Sequence, residues 1–110
     1  TMEAIDTTGS SETFMVAVHS SPNGSVLVIT DTEIIGQKFE TEKLQLDLTK
    51  KFYLGEEMSA DLIAEKINGC NTAHVTGVRA VAFVRSLDFI GEGKVLEIQG
   101  IPHAEVYLGV

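Results

Sequence analysis

The Pro102-His103 dipeptide is the part of this sequence best placed for chemistry. Proline fixes its own backbone, and the imidazole beside it titrates near neutrality, so it can serve as acid, base or ligand. Cys70 and His74 stand four residues apart. Joined by His103 or Asp31, they would offer a metal ion one soft and several borderline donors. The stretch from Asn71 to Gly77 leads into an expected helix whose first N–H groups could hold an anion, with Arg79 close by to assist. Lys38 beside Phe39, and Phe52 beside Tyr53, offer aromatic and basic contacts to RNA bases or a peptide.

Each of these also has an ordinary structural reading. A histidine at a strand end can satisfy buried backbone groups, and no nucleophile stands out as its partner. Cys70 and His74 lack the paired spacing of a structural zinc site, so neither a metal nor a cofactor is expected, and Cys70 reads as a small core hydrophobe. Gly77 permits close packing, with Thr76 or His74 as helix cap, and the aromatics can anchor loops. Gly91-Glu92-Gly93 continues as Lys94-Val95-Leu96, which is not a dinucleotide fingerprint. No G-x-S-x-G elbow occurs, and Asp31, Glu33, Glu40 and Glu42 read as solvated edges. No catalytic residue can be assigned. The candidate binding set is Lys38, Phe39, Asn71, His74, Gly77, Arg79 and His103.

The elements that must position these residues can be read from pattern. Residues 13–20 and 25–30 form a hairpin across Ser20-Ser21-Pro22-Asn23-Gly24, whose Asn-Gly tolerates positive φ. Residues 34–39 make a loop or single turn. Residues 43–48 alternate polar and apolar as a one-face strand, with Leu44, Leu46 and Leu48 inward. A short aromatic segment then runs to Gly55. One helix starts after Ser59 and ends at Gly69. A second spans 76–87, with an apolar face from Val78 to Val84 broad enough to be buried. A turn at Gly91 and Gly93 leads to a strand over 95–98. Residues 101–104 are constrained by Pro102, and 105–110 make a last strand or docked tail. The fold class is therefore α+β: a small mixed or antiparallel sheet with an N-terminal hairpin and two central helices on one face. Regular βαβ alternation is missing, which argues against a doubly wound nucleotide-binding fold.

Composition narrows the function classes. The 110 residues suit one domain, and 44% hydrophobic content is enough to build a core. Residues 1–12 are polar and read as a flexible N-terminal extension, leaving 13–110 as a single domain. Thr1 before Met2 resembles the remnant of a cloned tag. No apolar run reaches the roughly eighteen residues of a membrane span, and no signal-peptide pattern opens the chain, so a soluble cytoplasmic protein is expected. The single cysteine excludes an intramolecular disulfide. A net charge of −8 gives no general attraction to phosphate backbones, so strong direct nucleic-acid binding is disfavoured.

Four ordered blocks carry a family resemblance: Asp31-x-Glu33-x-x-Gly36-x-Lys38-Phe39; Phe52-Tyr53-x-Gly55-Glu56; Gly77-x-Arg79-Ala80-Val81; and Val95-Leu96-x-Ile98-x-Gly100-Ile101-Pro102-His103-Ala104. Together the chain from Phe14 to Ala104 resembles the archaeal DUF424 family, whose members have no assigned activity. It departs from the family pattern at His74, where the family tends to carry asparagine. The resemblance implies an archaeal cytoplasmic protein of unassigned activity, encoded near translation genes such as that of the β subunit of archaeal initiation factor 2.

Three functional readings follow. The first is a non-enzymatic binding module with protein partners, translation machinery among them, using the surface near Lys38, Phe39, Arg79 and His103. The second is a small-molecule or metal-binding enzyme gathering Asn71, His74 and His103 at the mouth between helices and sheet. The third is a homodimer in which an exposed sheet edge pairs with itself.

Overall fold

In the computed structural model, residues 13–89 and 95–108 are described. The expected hairpin is present as β1 (Thr13–Ser21) and β2 (Gly24–Asp31), paired antiparallel with Ser21 opposite Gly24. Positive φ falls on Gly24 alone in this turn. A 3-10 turn at Thr32–Ile34 leads to β3 (Lys38–Glu40) and β4 (Gln45–Asp47), which form a separate two-stranded sheet. A second 3-10 turn, Lys51–Tyr53, precedes β5 (Glu56–Ser59) and α1 (Ala60–Ile67). Then come β6 (Thr72–Thr76), α2 (Val78–Ser86), β7 (Val95–Ile98) and β8 (Ile101–Tyr107).

The main sheet has six strands in the order β5-β1-β2-β6-β8-β7. Every neighbouring pair is antiparallel except β2–β6, so the sheet is mixed and the fold is α+β, as expected. The parallel pair requires a crossover, which runs through β5 and α1. Pattern reading did not find β5 and β6, nor β3, whose Lys38 and Phe39 fall within the expected loop or single turn over 34–39 and instead pair with β4. β6, Thr72-Ala73-His74-Val75-Thr76, was expected as the approach to a helix. Its pairing with β2 on one side and β8 on the other makes it a central strand, and α2 starts only at Val78.

Period-two alternation separates two faces. One carries Phe14, Val16, Leu27, Ile29, Ala73, Val75, Ala104 and Val106, packed beneath Ile63 and Ile67 of α1 and Ala80, Val81 and Val84 of α2. Both helices therefore lie on the same face. Fully burying a side chain of this kind contributes roughly 1.5–3 kcal/mol, and Phe14 adds a stacked contact with Phe83 at 5.5 Å between ring centroids. Ser59 caps α1 as the sequence indicates, its Oγ accepting from the Leu62 N–H at 3.4 Å. The expected broad burial of α2 is only partial, for Val78 is 62% exposed and Ala82 also faces solvent. The opposite, outer face is roofed at one end by Leu46 and Leu48 packed on Ile98 and Ile101, with Phe39 and Tyr53 alongside. Leu44, expected inward, is 42% exposed because the ladder of β4 begins one residue after it. The expected turn at Gly91 and Gly93 and the expected N-terminal extension lie outside the described residues.

Gly77 sits between β6 and α2 at φ +111°, and a Cβ built there would come 2.3 Å from Asp31 Cγ. Left-handed backbone and steric overlap both penalise a side chain at this point. Gly77→Ala is expected to lower stability by roughly 2–4 kcal/mol, read as a lower denaturation midpoint with an unchanged slope.

Candidate functional site

Asp31 closes β2 on the helix face, and its carboxylate reaches the start of α2. Oδ2 accepts from the Arg79 N–H at 3.0 Å and Oδ1 from the Ala80 N–H at 2.7 Å. The helix start that the sequence offered to an anion therefore faces the chain's own carboxylate. Gly77, the second member of that candidate, provides the clearance for Asp31. Asp31 is buried rather than part of a solvated edge, and burial raises its pKa above the ordinary range against the opposing pull of the two N–H groups. Arg79 is engaged as well. Its Nε donates to Glu33 Oε2 at 3.0 Å, and its Nη2 to Glu33 Oε1 at 2.6 Å and to the Thr13 carbonyl at 3.1 Å. The guanidinium also lies 4.8 Å from the centroid of the Phe14 ring. The bonds from Arg79 bring the Glu33 carboxyl down to about 2.

Asn71 is a latch between strands. Its Oδ1 accepts from the Ser25 N–H at 2.7 Å, its own N–H donates to the Ser25 carbonyl, and its carbonyl accepts from Leu108. Cys70 is buried in the helix-side core, where burial pushes its thiol pKa up. His74 and His103 lie on the opposite face of the sheet, so the sheet separates them from both Cys70 and Asp31. Among the described residues, no group of three His, Cys, Asp or Glu could hold a metal ion.

The structure does bring His74 and His103 together, but on the outer face rather than between helices and sheet. Their ring centroids are 5.9 Å apart. β6 and β8 pair antiparallel with His74 opposite Glu105 and Thr76 opposite His103. His74 Nδ1 is 3.7 Å from Glu105 Oε2, and Thr76 Oγ1 is 2.7 Å from His103 Nδ1. Burial and the neighbouring His74 lower the His103 pKa, so its imidazole is neutral at pH 7. The Thr76 hydroxyl that touches it is fully buried, beyond the reach of a substrate. Thr30, opposite Thr76 on β2, buries an Oγ1 with no hydrogen-bond partner.

Sequence reading passed over a third imidazole on this face. His19 stacks on Phe52 with centroids 4.9 Å apart and donates from Nε2 to the Phe52 carbonyl at 2.9 Å. Phe52 also meets Tyr53 and His74 edge to face, at 5.2 and 5.3 Å. All three histidines of the chain thus share one face, His19 and His74 against the Phe52 ring and His103 against His74. The signal available was period two: His19, His74 and His103 each fall on the outward-facing parity of their strands. Register between strands, which sequence does not display, brings them together. Beside His74 lies a hollow of about 280 Å³ bordered by Thr72, Glu105 and the exposed Tyr107. Of the other candidates, Phe39 is part of the outer-face cluster and Lys38, across from Asp47, is exposed.

A protein-family profile described as "Protein of unknown function (DUF424)" matches residues 18–108. The chain belongs to the DUF424 family. Among curated proteins none matches this DUF424 chain. A solved structure described as the crystal structure of an uncharacterized conserved protein from Methanopyrus kandleri superposes on it with a TM-score of 0.70 and 23% identity, over 87% of this chain and 91% of that one. At that identity the likeness establishes the fold alone. No helix among the described residues of this DUF424 chain is long and apolar enough to cross a membrane.

Two pH windows follow from these shifts. His103 has a folded pKa below the ordinary imidazole value near 6.5, so its contribution to stability is complete above that value and is lost as pH falls toward the depressed one. Thermal melts are expected to lose stability through this range, and His103→Gln to flatten the loss. For Glu33 the contribution is complete above the ordinary carboxylate value and fades as pH falls toward about 2. Glu33→Gln is expected to flatten acid unfolding in that lower window, with a small effect because the pair is partly exposed.

Proposed function

We propose that this DUF424 protein is a non-enzymatic binding module whose outer sheet face receives a protein partner, with translation machinery as the setting that the family resemblance implies. The observation that carries this reading is the fate of the reactive side chains. Asp31 and Arg79 are bound within the fold, Cys70 is buried and Asn71 joins two strands. On the outer face, by contrast, His74 and Tyr107 border an open hollow, and Phe52 lies edge-on against His74. Aromatic and imidazole groups of this kind supply rigid contact area with a polar handle. Lys38, at the rim of the same side of the sheet, adds a charge that can steer an acidic partner.

A second reading, a small-molecule-binding enzyme at His74 and His103, draws on the 5.9 Å approach of the two rings and on the neutral state of His103. Turnover at this site would require a nucleophile or co-substrate to reach the hollow, since the Thr76 hydroxyl is enclosed.

Affinity capture from an archaeal lysate, with and without ribonuclease, separates the two. The wild-type chain is expected to retain translation components in stoichiometric amount, and His74→Ala and Tyr107→Ala to lose them at least about tenfold, the loss of one good contact, without lowering the melting temperature. A partner-free chain carrying a bound metabolite would overturn the module reading in favour of the enzyme.

A further inference from the structure

The six-stranded sheet ends in two edge strands, β5 and β7, and the two are built differently. β5 reads Glu56-Glu57-Met58-Ser59 and exposes both glutamates, so a second strand laid against it in self-pairing meets like charge. β7 reads Val95-Leu96-Glu97-Ile98, without proline or lysine, and exposes 56% of Leu96. Among the described residues no strand pairs with its outer side. Such an edge is a template for another strand.

The geometry points to a homodimer formed by antiparallel pairing of β7 with β7 of a second copy, about a two-fold axis through Leu96. This inference stands apart from the outer-face partner proposed above and uses a different surface.

The register follows from the turn. β7 and β8 are joined by Gln99 and Gly100, both at positive φ, in a two-residue hairpin closed by the pair Ile98 and Ile101. In that hairpin Ile98 and Leu96 direct their N–H and C=O toward β8, and Val95 and Glu97 direct theirs outward. Pro102, opposite Glu97, fits this pattern, for it has no N–H to offer and its carbonyl accepts from the Gly77 N–H on the far side at 2.8 Å. A second β7 joined to this edge must pair outward-directed residues with one another and keep each face on its own side. Setting Glu97 against Glu97 opposes like charges. Setting Val95 against Glu97 of the second copy satisfies all four outward main-chain groups on each strand and leaves Leu96 opposite Leu96 as a close, non-hydrogen-bonded pair.

Charge supports the same register. A cleft of about 570 Å³ lies between α2 and the β7–β8 hairpin, lined by the exposed Val78 and Ala82 and the buried Val81 together with Arg85, Val95 and Glu97. Arg85 and Glu97 border one cleft yet form no ion pair with each other or with other described residues. In the dimer, Glu97 of the second copy stands beside Val95 on the helix side of the joined sheet, at the mouth of the cleft that holds Arg85. The symmetric arrangement supplies this contact twice.

Sedimentation of the full chain across a range of concentrations, with two cysteine variants, tests the inference. The wild-type chain is expected to reach a dimer. Leu96→Lys is expected to shift the dimerisation midpoint upward at least about tenfold, with an unchanged circular dichroism spectrum. Under mild oxidation Leu96→Cys is expected to form a covalent dimer, because non-hydrogen-bonded partners lie at disulfide distance. Glu97→Cys is not, since the two-fold sets those positions diagonally apart. A wild-type chain that remains monomeric, a Leu96→Lys dimer as tight as wild type, or a Glu97→Cys chain that cross-links as fast as Leu96→Cys would each overturn it.

Discussion

The carboxylate of Asp31 at the head of α2 is the contact on which the helix layer depends. It ends the central strand β2 and accepts two N–H groups that the first turn of a helix would otherwise leave unpaired. One side chain thereby fixes where α2 begins and how it lies across the sheet, and the helix dipole favours the negative charge at that point. The arrangement requires a residue without a side chain at Gly77, which in turn ends β6 where the helix must start. Arg79, one residue into the same turn, then ties α2 to Glu33 and to the Thr13 carbonyl at the start of β1. Three elements distant in sequence meet at a single helix terminus.

The burial of Asp31 shows how closely the opposing effects balance. Desolvation raises its pKa although two main-chain donors and a nearby guanidinium favour the anion. The exposed Glu33 shows the reverse outcome with the same arginine, because little desolvation opposes its hydrogen bonds. Two acids separated by one residue thus take opposite shifts, and water access decides the sign of each.

The two faces of the sheet are covered in different ways. The helix face holds an apolar core from Phe14 to Leu108. The outer face is covered at the β7–β8 end by Leu46, Leu48, Phe39 and Tyr53, and elsewhere it carries His19 and His74 against the Phe52 ring. A strand buried on both faces, such as β2, reads in sequence as an unbroken apolar run, and that is why the hairpin was legible from Val26-Leu27-Val28-Ile29 and its Pro-Asn-Gly turn. α1 was equally legible, since its Ser59 cap, early Asp61 and late Lys66 are local signals. β6 was not, for a five-residue strand containing threonine and histidine gains its stability from β2 and β8, which are far away in the chain.

Sequence by itself determined what depends on neighbours along the chain: the α+β class, the hairpin, the Ser59 cap of α1, the burial of Cys70 and the scarcity of basic charge. Only the tertiary structure decided which strands lie side by side. That choice turned an apparent anion site at α2 into an internal cap, moved His74 and His103 from a helix–sheet mouth to the outer face, and added His19 to them. The physical reason is that register is a long-range property. Alternation states which residues share a face of their own strand, whereas the partners across the sheet are set by packing that no local stretch of sequence encodes.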